Sequence, residues 1–228
     1  MSIAPWRSPI ERALENHREI TYARYFQLAT ITQENRPANR TVVFRGFDAE
    51  RDRLKVVTDL RSEKVCQIAR QPWAEACWYF PRTWEQFRIS GLLSLIQADN
   101  ADMGLQQARQ ASWQELSDAA RKQFAWSPEP GKPKTEEAIA PPQPSPTEPL
   151  PNFCLLLLEP VQVDYLLLRG EPQQRWLYCR GDNNDWSVQE INPWGALKIG
   201  QMEFAQAHTR LAIRKLISDR LLLSRITM

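Results

Sequence analysis

Short runs of alternating apolar and polar residues dominate this chain, and that alternation predicts strands. Strands are read at residues 25–31, 38–47, 53–58, 74–80, 85–97, 161–168, 174–180 and 186–191, and also at 152–159, where the apolar run is continuous. Turn chemistry separates several of the runs: 33–37, 48–52 and the sequence Gly181-Asp182-Asn183-Asn184-Asp185. The spacing makes 38–47 with 53–58, and 74–80 with 85–97, antiparallel pairs. Three segments read as helices instead. The first spans 8–19, with Ser8 as cap, Pro9 at the first helical position and Glu11 completing a capping box. The second spans 62–70 and is closed by Gln71-Pro72. The third spans 99–124, with another capping box at Ser112 and Glu115. Many short strands joined by hairpins and interrupted by helices predict a mainly β (α+β) antiparallel barrel with flanking helices.

Nine of the seventeen prolines fall between Pro128 and Pro151. Neither a helix nor a central strand holds that density, so the segment reads as an extended loop. The expected division is one domain over 1–193, carrying this proline-rich loop, and an extension over 194–228. The extension has a charge of +4 within a chain whose net charge is only +2. A balance so near neutral gives no global case for nucleic acid or a membrane surface. The longest apolar run, 153–158, is far short of the ~20 residues a membrane helix needs. An amphipathic helix over 209–226 is an alternative to a plain surface extension there. Cys66, Cys77, Cys154 and Cys179 have no C-x-x-C spacing and read as reduced core thiols. With no apolar leader at the N-terminus, the expected setting is cytoplasmic. Two histidines, His17 and His208, are too few for a histidine-rich metal site and make a Ser-His-Asp triad implausible, so no metal is expected. Neither G-x-G-x-x-G nor a P-loop occurs. A bound cofactor is the economical source of any hard chemistry.

The run Arg40-Thr41-Val42-Val43-Phe44-Arg45 is a strand with an arginine at each end. It is followed by Val57-Thr58-Asp59-Leu60-Arg61-Ser62-Glu63-Lys64, a strand that opens into a helix at Ser62. Guanidinium forks bind phosphate bidentately, and the first N–H groups of a helix are free to point at it. Taken singly, Arg40 could be a strand-end surface residue and Ser62 a plain cap. In joint order and spacing with Trp84-Glu85-Gln86-Phe87-Arg88-Ile89-Ser90-Gly91, these segments resemble the pyridoxamine 5'-phosphate oxidase family, over roughly residues 25–193.

The resemblance implies an FMN-binding split β-barrel and a homodimer with FMN at the interface. It implies that Arg40 binds the FMN phosphate and that Thr41, Val42 and Val43 line the ring. Arg45 would face both cofactor and substrate, and Val57-Thr58 would lie beside the flavin. Ser62 and Lys64 would join the phosphate site, Gln86 and Tyr165 would meet the ring, and Arg175 would sit near its N1/O2 side. Ser127 would stand near the phosphate. Glu63 occupies a family arginine position, so Arg61 is expected to turn in instead. The substrate pocket implied is Arg45, Arg88, Glu171 and Gln173, the last two replacing an arginine and a histidine that hold the vitamin B6 substrate. Two functions follow: an FMN-dependent oxidoreductase acting on a small-molecule substrate, or a non-catalytic protein that stores or senses FMN. A nucleic-acid or partner-binding module built on the basic extension is a third, weaker reading.

Overall fold

The computed structural model describes residues 3–48, 51–126 and 141–193. Ser127, His208, most of the proline-rich loop and the extension over 194–228 lie outside the described residues.

Helix α1 (Arg7–Asn16) and a 3-10 turn (Thr21–Arg24) lead into β1 (Tyr25–Ile31), followed by β2 (Pro37–Val43) and β3 (Leu54–Asp59). Next come α2 (Glu63–Arg70), β4 (Trp73–Phe80), β5 (Glu85–Ile96), α3 (Met103–Gln114) and α4 (Asp118–Ala125). The long β6 (Phe153–Leu167), β7 (Gln174–Arg180) and β8 (Trp186–Ile191) are the last described elements. All strand pairs are antiparallel, in the order β2-β1-β4-β5-β6-β7-β8, with β3 paired to β6.

The sheet closes on itself. β5 lies along one edge of β6. On the other edge, the first half of β6 pairs with β3 and the second half with β7. β3 returns to β2 through a hairpin, with Arg45 N donating to Lys55 O (2.8 Å), Lys55 N to Gly46 O (2.9 Å), and a bridge between Phe47 and Leu54. Beyond Arg45 and Lys55 the two strands part: β3 turns onto β6 while β2 stays with β1. The expected barrel is therefore present, split along a cleft between β2 and β3. Its interior is filled by Phe26, Leu28, Val56, Trp78, Phe87 and Leu156. A second apolar layer under α3 and α4 is built on Trp113, Leu116 and Phe153.

Several local expectations are corrected. α1 begins at Arg7, and Ser8 makes no cap; Arg7 instead reaches Asp52 (Nη1–Oδ1 2.6 Å) and Glu11 (Nε–Oε1 2.7 Å). The single helix over 99–124 is two. Ser112 lies inside α3 and donates to Ala108 O (2.8 Å), while the working caps are Asp102 and Ser117. The strands read at 152–159 and 161–168 are one, continuing through Pro160 opposite an irregularity at Ser90/Gly91. Cys66 is exposed rather than core, and all four thiols are free. His17 is a satisfied core histidine: its Nδ1 lies 2.7 Å from Ala13 O, and its Nε2 accepts from Arg82 N (2.9 Å). Among the described residues no helix is long and apolar enough to cross a membrane.

The end of β3 is clamped to α4 and β6. Arg61 forks onto Asp59 (Nε–Oδ1 2.9 Å, Nη2–Oδ2 2.7 Å) and donates to Trp126 O (2.9 Å), and Asn152 Nδ2 donates to Asp59 Oδ2 (2.7 Å). Burial alone would raise the Asp59 carboxyl, but the hydrogen bonds from Arg61 and Asn152 hold it below its usual value. A depressed carboxyl stabilises the fold fully above its unfolded value of 3.8, and that stability is lost as pH falls through the lower folded value. Urea midpoints are expected to fall between pH 6 and pH 3. Asp59→Asn should remove part of that slope, and an unchanged slope would count against the clamp.

Candidate functional site

The far end of the β2–β3 cleft gathers cations. Arg40 leaves β2 on the barrel side and Thr58 leaves β3. Lys64, from the first turn of α2, donates to Thr58 Oγ1 (3.0 Å) and Ser62 Oγ (2.6 Å). Burial pushes the Arg40 guanidinium down from its ordinary pKa, partly opposed by Glu63. Burial also pushes the Lys64 ammonium down, and the nearby charge of Arg40 pushes it further. Two half-buried cations that repel one another beside a helix N-terminus are relieved by an anion. Ser62 caps α2 by position only, since its side chain takes no helical N–H. A phosphate monoester fits this donor set: a fork, an ammonium, two hydroxyls and the free N–H groups of the first turn.

Arg40 is held in a fixed pose. Nη1 donates to Leu28 O (3.1 Å) and Thr30 Oγ1 (2.6 Å), and Nη2 to Gln67 Oε1 (3.0 Å). The buried Gln67 also accepts from Thr30 (2.6 Å) and donates to Glu63 Oε1 (2.8 Å). Glu63, the carboxylate that replaces a family arginine, is thus tied to the amide of Gln67. Arg61 does not turn into the cluster; its fork is taken by Asp59.

β2 presents its edge to the cleft. Phe44 N donates to Arg24 O on the β1 side (2.8 Å), and Arg45 N to Lys55 O on the other. Alternation along a strand then aims the N–H groups of Thr41 and Val43 at the open edge, where a planar ring edge could accept them. Val42 points into the barrel core. Arg45 stands at the head of the cleft with a buried Nε that lacks a hydrogen-bond partner. Its pKa is pushed down by burial and then by the neighbouring Arg24. Val57 packs outward beneath the α3–α4 layer.

Gln86, Arg88 and Arg175 lie on the outer face of the sheet. Register places Val43, Tyr25, Tyr79, Gln86, Leu166 and Arg175 in one cross-strand row, and Thr41, Gln27, Cys77, Arg88, Asp164 and Leu177 in the next. Among the described residues no helix covers this face at Tyr25 and Tyr79, both exposed. Gln86 is three strands from β2, ~14 Å at normal spacing, and Arg175 is further still. One chain therefore does not bring Gln86 and Arg175 to the cationic cleft. Tyr165 is not on this face. It lies inside the barrel, stacked between Phe87 (4.5 Å between centroids) and Trp176 (5.0 Å), with its hydroxyl on Glu85 Oε1 (2.6 Å). Leu166, one residue on, takes the outer position. Glu171 and Gln173 lie in the β6–β7 connection and line a shallow cleft of about 570 Å³ with Trp84 and Arg169.

Sequence reasoning missed Thr30, Gln67 and Asp164. Gln67 had a readable signal: a polar residue on the apolar face of a short helix, between Val65 and Ile68.

Comparison with known proteins bears on the family and the fold. Residues 3–97 match the family model described as pyridoxamine 5'-phosphate oxidase, FMN-binding domain. A pyridoxine/pyridoxamine 5'-phosphate oxidase 2 from Arabidopsis thaliana is 40% identical over 196 residues, covering 84% of this chain and 98% of the relative. A crystal structure of a pyridoxamine 5'-phosphate oxidase-related, FMN-binding protein from Nostoc punctiforme is 60% identical. It superposes with a TM-score of 0.81, covering 85% of this chain and 100% of the other. PhzG from Burkholderia lata, at 21% identity and a TM-score of 0.66, covers 84% of this chain and 94% of its own, and shares the fold.

Proposed function

The chain belongs to the pyridoxamine 5'-phosphate oxidase family and is an FMN-binding protein, and from that premise we propose that it is an oxidoreductase acting on a small-molecule substrate. Bound FMN would supply the acceptor for a hydride leaving the substrate. The observation that carries the cofactor assignment is the half-buried Arg40–Lys64 pair with Thr58 and Ser62 at the α2 N-terminus. Arg40 and Lys64 would hold the phosphate, with Gln67 and Thr30 fixing the guanidinium. Thr41, Val43 and Thr58 would orient the ring along the β2–β3 cleft. A homodimer with the cofactor at its interface is part of this reading. The uncovered sheet face would meet a second copy, and Gln86 and Arg175 of one protomer would complete the cleft of its partner. A cytoplasmic setting is supported by four free thiols.

The name of the Arabidopsis relative makes pyridoxamine 5'-phosphate the first substrate to try. Glu171 and Gln173 stand where the family has an arginine and a histidine, so turnover of that substrate is expected to be slow. A storage or sensing role is the second reading, favoured by the same two replacements together with Glu63. The deciding experiment is the visible spectrum of the purified protein, identification of the released chromophore, and reduction of the bound flavin by pyridoxamine 5'-phosphate under anaerobic conditions. Bound FMN with reduction supports the oxidoreductase. Bound FMN that no candidate donor reduces favours storage, and a colourless chain that ignores added FMN rejects both.

Glu63 provides a graded test of the phosphate site. Glu63→Arg removes a carboxylate beside the cluster and restores a fork. A single charge-assisted hydrogen bond is worth about 1.5–3 kcal/mol, so FMN affinity is expected to rise by about tenfold or more in a fluorescence titration. Unchanged affinity would place the phosphate elsewhere.

A further inference from the structure

We propose that Asp164 is a positioning residue for Arg175, fixing its guanidinium and limiting the positive charge it offers a reduced flavin; this rests on the reading of Arg175 as a flavin partner. Asp164 is buried on β6, and both of its oxygens are taken by one fork. Arg175 Nε donates to Oδ1 (2.8 Å) and Nη2 to Oδ2 (2.6 Å). A third donor, Nη1, reaches Pro193 O (3.2 Å). A guanidinium carries five N–H groups. One on Nη1 and one on Nη2 are left without an acceptor among the described residues, in an orientation the fork dictates. The aspartate holds its other neighbour less firmly. Arg88 Nη2 lies 3.7 Å from Oδ2, and Arg88 Nε lies 3.5 Å from Glu75 Oε1, an ion pair too poorly aligned to count as a hydrogen bond.

Stability of the fold does not require such a pair. Desolvating an aspartate and an arginine together gains little over well-packed apolar residues, whereas removing one partner strands the other. What the pair does provide is a rigid cation of reduced strength, on the uncovered face and in one row with Gln86. Negative charge that develops on a flavin during reduction is stabilised by a cation at its N1/O2 side. Asp164 sets both where that cation stands and how much of its charge remains uncompensated.

The test uses the full chain loaded with FMN. Asp164→Asn keeps the shape and one acceptor for Arg175 while removing the countercharge. Reduced FMN should then bind about tenfold more tightly relative to oxidised FMN, a positive shift in midpoint potential of ~30 mV for a two-electron couple. In an Arg175→Gln background the same substitution should shift nothing. Asp164→Glu keeps the charge but displaces the fork, so the cation moves away from the flavin and the potential should fall below the wild-type value; an unchanged potential would overturn the positioning role. This variant carries the test if the asparagine form does not fold. A wild-type potential in Asp164→Asn overturns the proposal, as does a shift that persists undiminished without Arg175, which would mark a general effect on the fold. Failure of the wild-type chain to bind FMN would instead overturn the flavin reading itself, and this inference with it.

Discussion

Replacing Arg40 with leucine is expected to weaken FMN binding by at least a hundredfold while leaving the fold standing. The magnitude follows from the loss of a bidentate fork: two charge-assisted hydrogen bonds to phosphate, at about 1.5–3 kcal/mol each, amount to more than two powers of ten. Survival of the fold follows from what Arg40 does without the cofactor. Its charge is destabilised by burial, and it crowds Lys64. Its replacement loses the bonds to Leu28 O, Thr30 and Gln67, but Thr30 and Gln67 stay paired because Thr30 still donates to Gln67. Arg40→Lys should fall between, since an ammonium keeps the charge and loses the fork. Flavin fluorescence titration measures the affinity, and thermal melting without FMN separates it from stability. A leucine variant with near wild-type affinity would remove Arg40 from the phosphate site.

Legibility differed by length scale. β1 could be read to its ends because Phe26, Gln27 and Leu28 alternate and turn residues follow Ile31. The cationic cluster was legible because three of its members lie within seven residues, Thr58 to Lys64, and the fourth, Arg40, lies midway along the preceding strand. Contacts between distant segments were not legible. Asp52 decides where α1 starts, by binding Arg7 from 45 residues away, and Asp59 decides that Arg61 faces α4 rather than the cluster. The capping box at Ser112 failed because tertiary burial wins over a local motif. Trp113 and Leu116 both pack on Phe153, which requires the chain to reverse after Gln114 and hands the next cap to Ser117. Tyr165 illustrates the sharpest limit. Strand residues alternate faces, so an offset of one residue exchanges core for outer surface. The aromatic residue was the natural candidate by type, yet it is Leu166 that shares a row with Gln86 and Arg175.

Gly91→Ala is expected to cost about 3 kcal/mol of stability or more, the upper end for overpacking. The cause is a close approach of two strands. A Cβ at Gly91 would stand 2.1 Å from Glu159 O, 2.8 Å from Glu159 C and 3.0 Å from Pro160 Cα, all backbone atoms that cannot swing aside. Pro160 has no N–H to give the ladder, and the register between β5 and β6 shifts at this point. Relief would require β5 and β6, the longest strand pair in the sheet, to separate. β6 is also the strand that carries β3 on its first half and β7 on its second. Parting it from β5 would disturb the Thr58 side of the cleft and the Asp164–Arg175 pair together. Urea unfolding should therefore show a large drop in midpoint for Gly91→Ala, and FMN affinity should fall with it although residue 91 touches neither site. A variant within 1 kcal/mol of wild type would mean that the strands have room to spare, and that β6 does not couple the Thr58 side of the cleft to the Asp164–Arg175 pair.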